Sequence, residues 1–129
     1  MMEEKINQSE VRQFRTVFPG TINSNGSLFG GLTMKWMDET AYISATRFSR
    51  RELFTIRVEK IRFLKTIRPD TFVELIAKVE SEETYRINVK VEIFEEDRYS
   101  GNREKAVDGI FIFGCRDENS KLGKIAEKE

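Results

Sequence analysis

The chain of 129 residues contains no histidine and only one cysteine. Without histidine it cannot form a Ser-His-Asp triad, a Cys-His pair or a zinc site built from cysteine and histidine. Cys115 has no partner for an internal disulfide, and it ends an alternating apolar pattern, which predicts a small core residue. Any catalysis must therefore use carboxylates, amides, hydroxyls, lysines or backbone dipoles.

An excess of charge is also lacking, because 22 basic residues balance 22 acidic ones. A balanced charge does not favour nucleic acid as the main partner. The sequence has no apolar run of 18 residues or more, and its first residues lack the apolar core of a signal peptide. We therefore expect a cytoplasmic protein with neither nucleic acid nor a membrane as its partner.

Length and composition predict one domain over residues 1–129, with a core of about residues 11–117 between polar termini that fray. After a weak strand signal at residues 12–17, the apolar residues of 28–48 spread nearly around a whole helical circumference. This spread predicts a buried helix. One sheet covers only one side of a helix, so the pattern also predicts a dimer. The alternative is that the terminal segments fold back over the helix.

Four strand-like segments follow, at residues 54–63, 73–79, 85–93 and 107–115. In the first, the alternation changes phase near Glu59 and Lys60, which predicts a β-bulge. Residues 80–84 form the predicted hairpin between the second and third segments. The last segment is apolar at both parities, which is typical of a strand covered on both faces. The order predicts an α+β protein in which one antiparallel sheet wraps a long helix.

The most unusual stretch lies before and within the helix, where N-S-N-G-S-L-F-G-G is followed by an apolar run that contains Asp38. Asp38 shares a helical face with small and apolar residues, where a carboxylate becomes a stronger base unless a hydrogen bond or cation offsets the burial. The alternative is a half-exposed or ion-paired aspartate. Gly30 and Gly31 either fit a turn or leave first-turn N–H groups free to stabilise an oxyanion. Asn23 either forms an Asx-turn or orients a water or carbonyl.

Residues 23–41, N-S-N-G-S-L-F-G-G-L-T-M-K-W-M-D-E-T-A, resemble the signature of hotdog-fold acyl-CoA thioesterases of the brain acyl-CoA hydrolase type. Residues 54–63 are similar to the strand that follows the helix in that family, and the resemblance covers roughly residues 18–114. It implies a hotdog fold that dimerises, with a trimer of dimers as the expected assembly. It also implies hydrolysis of an acyl-CoA thioester to free acid and coenzyme A.

The same resemblance implies the site residues. Asp38 matches the catalytic acid, as general base or as nucleophile through an anhydride, and Asn23 matches the amide that positions water or thioester at a dimer interface. The backbone of Gly30 and Gly31 would take the oxyanion. No metal or cofactor is implied, since coenzyme A belongs to the substrate.

The chain departs from the family pattern after Phe63, where it has Thr66 and Asp70 in place of the usual proline and Gly-Asp pair. By the resemblance, this departure lies toward the coenzyme A end of the site. Four basic residues, in the strand that reaches Phe63 and just after it, are expected either to contact the coenzyme A phosphates or to form a solvated strand face. They are Arg57, Arg62, Lys65 and Arg68.

Two other function classes share this fold. A hydratase or dehydratase typically works with a histidine and acid pair, and the absence of histidine from this chain disfavours that class. The remaining alternative to the hydrolase is a non-catalytic hotdog that binds acyl-CoA as a ligand sensor.

Overall fold

The computed structural model of the chain describes residues 1–117, 119 and 121–125, and consists of one sheet packed on one long helix. The predicted order of a strand, a long helix and four strands is confirmed. The sequence does not predict the short helix and short strand at the two ends. The elements are α1 (Met2–Gln8), β1 (Val11–Thr16), a 3-10 turn (Pro19–Thr21), α2 (Gly30–Ser49), β2 (Leu53–Phe63), β3 (Thr71–Glu82), β4 (Ile87–Asp97), β5 (Arg103–Arg116) and β6 (Leu122–Gly123).

The sheet is antiparallel with strand order β1-β3-β4-β5-β2, and β6 pairs with the end of β5. Its inner face packs on α2 through alternating apolar residues, because successive side chains of a strand point to opposite faces. Among the fully buried ones are Val73, Leu75, Val91, Ile93 and Phe111. Within the described residues, neither helix has both the length and the apolar character needed to cross a bilayer.

In a single copy of the chain, α2 is buried along one side only. That side carries Trp36, Met37, Ala41, Ala45 and Phe48. On the opposite side Lys35, Glu39 and Tyr42 are exposed, while Leu32 and Ile43 are half-buried. The terminal segments fold back only in part, with Lys5 of α1 lying over the ring of Phe48 at 4.5 Å. Within a single copy, the side of α2 that carries Lys35, Glu39 and Tyr42 is therefore not covered by the sheet.

The predicted bulge in β2 is confirmed. The register against β5 shifts between Glu59 and Arg62, and Lys60 adopts a left-handed conformation with φ 53°. A second shift, between Thr55 and Arg57, is not visible in the sequence pattern. Together the two irregularities decide which residues of this edge strand face the helix.

The predicted hairpin at residues 80–84 is placed too early. A bulge between Val79 and Ser81 lengthens β3, which pairs with β4 as far as Glu82 opposite Ile87. Asn88 stabilises the extension by donating hydrogen bonds from its amide to Ser81 Oγ at 2.8 Å and to Glu83 Oε2 at 2.9 Å. The turn therefore occupies residues 83–86, and Tyr85 belongs to it.

The prediction that β5 is covered on both faces is confirmed, since residues 106–109 and 111–115 are all buried. On the outer face of the sheet, the buried side chains include ion-paired carboxylates as well as apolar residues. Glu74 binds Arg12 and Arg103, while Asp108 binds Arg62 and Lys105. Buried carboxylates need such partners to offset their desolvation.

The left-handed residue in the β2 bulge yields a stability test. Lys60→Val should lower the free energy of unfolding by about 1–2 kcal/mol, because a β-branched residue is strained at positive φ. Lys60→Gly should change it by less than about 1 kcal/mol, since glycine adopts this conformation freely. Urea midpoints at one fixed protein concentration measure both effects. Equal losses in the two variants would show that the backbone conformation does not matter.

Candidate active site

The active-site loop, residues 21–29, connects the 3-10 turn to α2 and is closed on itself by main-chain hydrogen bonds. Ile22 and Leu28 form an isolated β-bridge, and the Asn23 N–H donates to Ser27 C=O at 2.7 Å. Gly26 at the tip has φ 77°, which favours glycine. The loop is therefore a small hairpin with Asn23 near its base.

Asn23 holds this hairpin together through one end of its side chain. Its Oδ1 accepts hydrogen bonds from the N–H of Asn25 at 2.9 Å, the N–H of Ser27 at 3.2 Å and Ser27 Oγ at 3.3 Å. Its amide nitrogen has no acceptor among the described residues. The Asx-turn expected as one alternative is thus present, and the amide donor remains available for a second role.

The first turn of α2 is open. Gly30 and Gly31 are both exposed, and a Cβ atom built on either would meet nothing within 4 Å. Among the described residues no side chain caps this helix start. Because the first N–H groups of a helix lack partners inside the helix, those of Gly30 and Gly31 are left to bind something else.

A cleft of about 220 Å³ lies at this helix start. Leu28, Gly30 and Thr33 line one side of it, and the segment after β2 lines the other with Lys65, Thr66 and Ile67. Phe63 and Val107 complete its apolar part. The cleft therefore joins an apolar wall to the open backbone of the helix and to one lysine.

Asp38 lies two turns further along α2, at the edge of its buried side, and is half-buried. Its Oδ1 accepts a hydrogen bond from Thr55 Oγ1 of β2 at 2.7 Å. The partner of Asp38 is thus a hydroxyl, whereas the neighbouring Glu39 is ion-paired with Arg15 at 3.2 Å. The two adjacent carboxylates therefore have different surroundings.

Asp38 and the glycine pair are well separated within one chain. The offset of eight positions from Gly30 to Asp38 corresponds to about 12 Å along the helix axis. A general base must come within about 3 Å of the group it deprotonates. The separation along the axis is thus about four times the reach of a direct proton transfer.

The predicted phosphate contacts are all paired with carboxylates. Arg57 binds Glu59 at 2.5 Å, and Arg62 binds Asp108 on the outer face of the sheet. Hydrogen bonding from Arg62 holds the pKa of the Asp108 carboxyl well below its usual range, so the pair stays charged. Lys65 lines the cleft, while Arg57 and Arg62 do not. Arg68 lies three residues after Lys65, in the segment that follows β2.

Within the described residues, no cluster of three cysteine, aspartate or glutamate side chains could hold a metal ion. A larger groove of about 560 Å³ runs over the outer face of β1, β3 and β4, lined by charged residues such as Arg12 and Lys78. No predicted site residue lines it.

A protein-family model described as the thioesterase superfamily matches residues 25–101. The chain belongs to this superfamily. Among the curated members is an uncharacterized acyl-CoA thioester hydrolase from Bacillus subtilis, which is 35% identical over 114 residues, covering 88% of this chain and 66% of that protein. The chain thus spans about two thirds of the length of that thioesterase relative.

Two solved thioesterase structures are also similar. An acyl-CoA hydrolase from Staphylococcus aureus, in complex with butyryl coenzyme A, coenzyme A and coenzyme A disulfide, has a TM-score of 0.86 and 26% identity over 93% of this chain and 73% of that one. A hexameric broad-specificity acyl-coenzyme A thioesterase has a TM-score of 0.81 and 26% identity, with 91% of this chain and 86% of that one covered. The predicted hotdog fold and the predicted thioesterase family are confirmed, whereas the brain-type subgroup stays a prediction.

Proposed function

We propose that the chain hydrolyses an acyl-CoA thioester to the free acid and coenzyme A, with Asp38 as the central catalytic group. The observation that carries this proposal is the Asp38 carboxylate of α2, which is half-buried and accepts a hydrogen bond from the Thr55 hydroxyl of β2. The first turn of the same helix is open. The reaction needs no cofactor, because coenzyme A is part of the substrate.

The spacing of three side chains supports the assignment. Variants of the Staphylococcus aureus hydrolase have been solved in which an asparagine, an aspartate and a threonine are each replaced by alanine, at positions 15 and 17 residues apart. Asn23, Asp38 and Thr55 of this chain have the same residue types at the same two spacings. The sequence does not predict Thr55, because an exposed threonine on a strand is ordinary.

In the hydrolytic step, the Asp38 carboxylate takes a proton from water while the water oxygen bonds to the thioester carbonyl carbon. The resulting tetrahedral oxyanion collapses, the carbon–sulfur bond breaks, and coenzyme A leaves as a thiolate that takes up the proton. Thr55 donates to Oδ1 and so leaves Oδ2 of Asp38 to face the water. The alternative is attack by the carboxylate itself on the carbonyl carbon, which breaks the carbon–sulfur bond, expels the coenzyme A thiolate and forms an anhydride that water then cleaves.

The oxyanion is stabilised by the backbone N–H groups of Gly30 and Gly31. Preorganised donors at the positive end of a helix dipole act on the charge that develops in the transition state. The glycines serve this role because the space beside them is open for a substrate. The amide of Asn23 positions the water or the carbonyl.

Because these groups lie far from Asp38 of the same chain, each active site is formed by two copies. One copy supplies the helix start and Asn23, and the other supplies Asp38 and Thr55. The exposed side of α2, with Lys35 and Tyr42, is available for the contact between copies. We extend the proposal to a trimer of dimers, which the hexameric relative supports.

Coenzyme A is bound at the mouth of the cleft, with Lys65 as its nearest cation. Arg57 and Arg62 are weaker candidates, since neither lines the cleft. The cytoplasmic location stays a prediction from the sequence.

Asp38→Asn should slow hydrolysis of acyl-CoA by about two to four powers of ten, the usual contribution of a positioned general base, while binding of acyl-CoA persists. Release of free thiol from a panel of acyl-CoAs measures the rate. Glu39→Gln is the control, because it removes a neighbouring carboxylate whose partner is Arg15. A wild type that binds acyl-CoA without releasing thiol would favour the ligand sensor.

Replacing Asn23 separates its two roles. Asn23→Asp keeps the oxygen that accepts three hydrogen bonds in the loop, but it removes the amide donor. We expect turnover to fall about tenfold or more in this variant with little loss of stability. Asn23→Ala should lower both. Normal turnover of Asn23→Asp would mean that Asn23 only forms the Asx-turn.

A mixing experiment tests the shared site. Asn23→Ala and Asp38→Asn homodimers should each be nearly inactive, but a mixed dimer contains one site with both residues intact. Co-refolding equal amounts should restore about a quarter of wild-type turnover, because half of the dimers are mixed and each has one working site. A mixture as inactive as its parents, or light scattering that shows a stable monomer at micromolar concentration, would contradict the two-copy site.

A further inference from the structure

The β2–β3 loop, residues 64–70, forms the wall of the cleft that faces the helix start. It is joined to the active-site loop by a main-chain hydrogen bond, in which the Leu28 N–H donates to Ile67 C=O at 2.8 Å. Leu28 directly precedes Phe29 and the first turn of α2. The position of Ile67 therefore affects where the catalytic backbone lies.

The first part of this loop is fixed by a bulge in β5. The register between β4 and β5 shifts at Ile93 and Phe94, opposite Ala106. The Ala106 carbonyl accepts hydrogen bonds from the N–H groups of Leu64 at 2.7 Å and Lys65 at 3.2 Å. These bonds end two residues before Ile67.

The second part is fixed by a buried carboxylate at the end of β4. Glu95 is only 3% exposed, and its Oε2 accepts a hydrogen bond from the Arg68 N–H at 2.8 Å. Its Oε1 binds the Lys65 ammonium and, at 3.4 Å, the Arg68 guanidinium. Both oxygens are thus directed at the residues that flank Ile67.

Glu95 is charged in this position. Burial alone would raise the pKa of its carboxyl, but the Arg68 N–H and the Lys65 and Arg68 side chains outweigh burial and hold the pKa below its usual range. Charge-assisted hydrogen bonds are stronger than neutral ones, so the carboxylate is an effective clamp. No catalytic role described above uses it.

We propose that Glu95 is a positioning residue of the active site, which holds the β2–β3 loop and, through the Ile67–Leu28 hydrogen bond, the active-site loop and the start of α2. Its effect on turnover rests on the proposed thioesterase function. Its effect on the hydrogen bond of the Leu28 amide does not depend on that function.

Hydrogen exchange of the Leu28 amide tests the link directly. Glu95→Gln keeps the size of the side chain and removes its charge, so exchange at Leu28 should become about tenfold faster as the loop opens locally. Glu74→Gln is the matched control, because Glu74 is also buried, at 5% exposure, and binds two arginines on the outer face of the sheet. Unchanged exchange in Glu95→Gln, or equal acceleration in both variants, would overturn the proposal.

Turnover provides the second readout. Glu95→Gln should lower kcat/KM about tenfold, and the same change made in an Asn23→Ala background should lower it less than about twofold, because coupled residues are not additive. Glu74→Gln should leave kcat and KM unchanged. A loss of kcat/KM from Glu95→Gln that is as large in the Asn23→Ala background as in the wild type would show that Glu95 does not act through the active-site loop. A wild type without hydrolysis would refute the proposed function, and Leu28 exchange would still decide the role of Glu95.

A second variant keeps the test open should Glu95→Gln fail to fold. Thr71 Oγ1 donates to Arg68 C=O at 2.8 Å and so ties down the end of the same loop. Thr71→Val keeps the shape of the side chain and removes this bond. Leu28 exchange should again accelerate, and an unchanged rate would count against the proposal.

Discussion

The limited cover that one sheet gives to a long helix determines how this molecule is built. The inner face of the sheet buries the side of α2 that carries Met37 and Ala41, and it leaves the opposite side exposed. Asp38 lies at the border between the two, where its carboxylate is half-buried and accepts a hydrogen bond from the Thr55 hydroxyl. A more deeply buried aspartate would need a cation to offset its desolvation.

The same constraint explains why a site without histidine can be assembled. The helix places a carboxylate on its flank, the edge strand β2 brings a hydroxyl to it, and the open first turn provides N–H donors some distance away. In the proposed site, a second copy of the chain combines these parts. The proposed reaction releases a thiolate, a good leaving group, so its protonation does not demand a histidine.

Much of this arrangement could be predicted from local patterns. The long helix, the β2 bulge and the doubly covered β5 follow from hydrophobic periodicity, whereas the roles of Asn23, Asp38 and the glycine pair come from the family resemblance and stay predictions. Thr55 could not be predicted because its meeting with Asp38 depends on the register of β2, which a second bulge changes. The carboxylate partners of Arg62 and Lys65 could not be predicted either, because Asp108 and Glu95 are distant from them in sequence. The hairpin was misplaced because polar residues at the end of β3 continue the ladder instead of turning.

The uncapped glycine pair at the start of α2 has a consequence for engineering. Glycine loses more backbone entropy than alanine when it is fixed in a helix, and the space beside both glycines would accept a methyl group. A search for thermostable variants would therefore select alanine at these positions. Under the proposed mechanism, each such change would block the backbone that binds the oxyanion, so stability and activity would be opposed at this helix start.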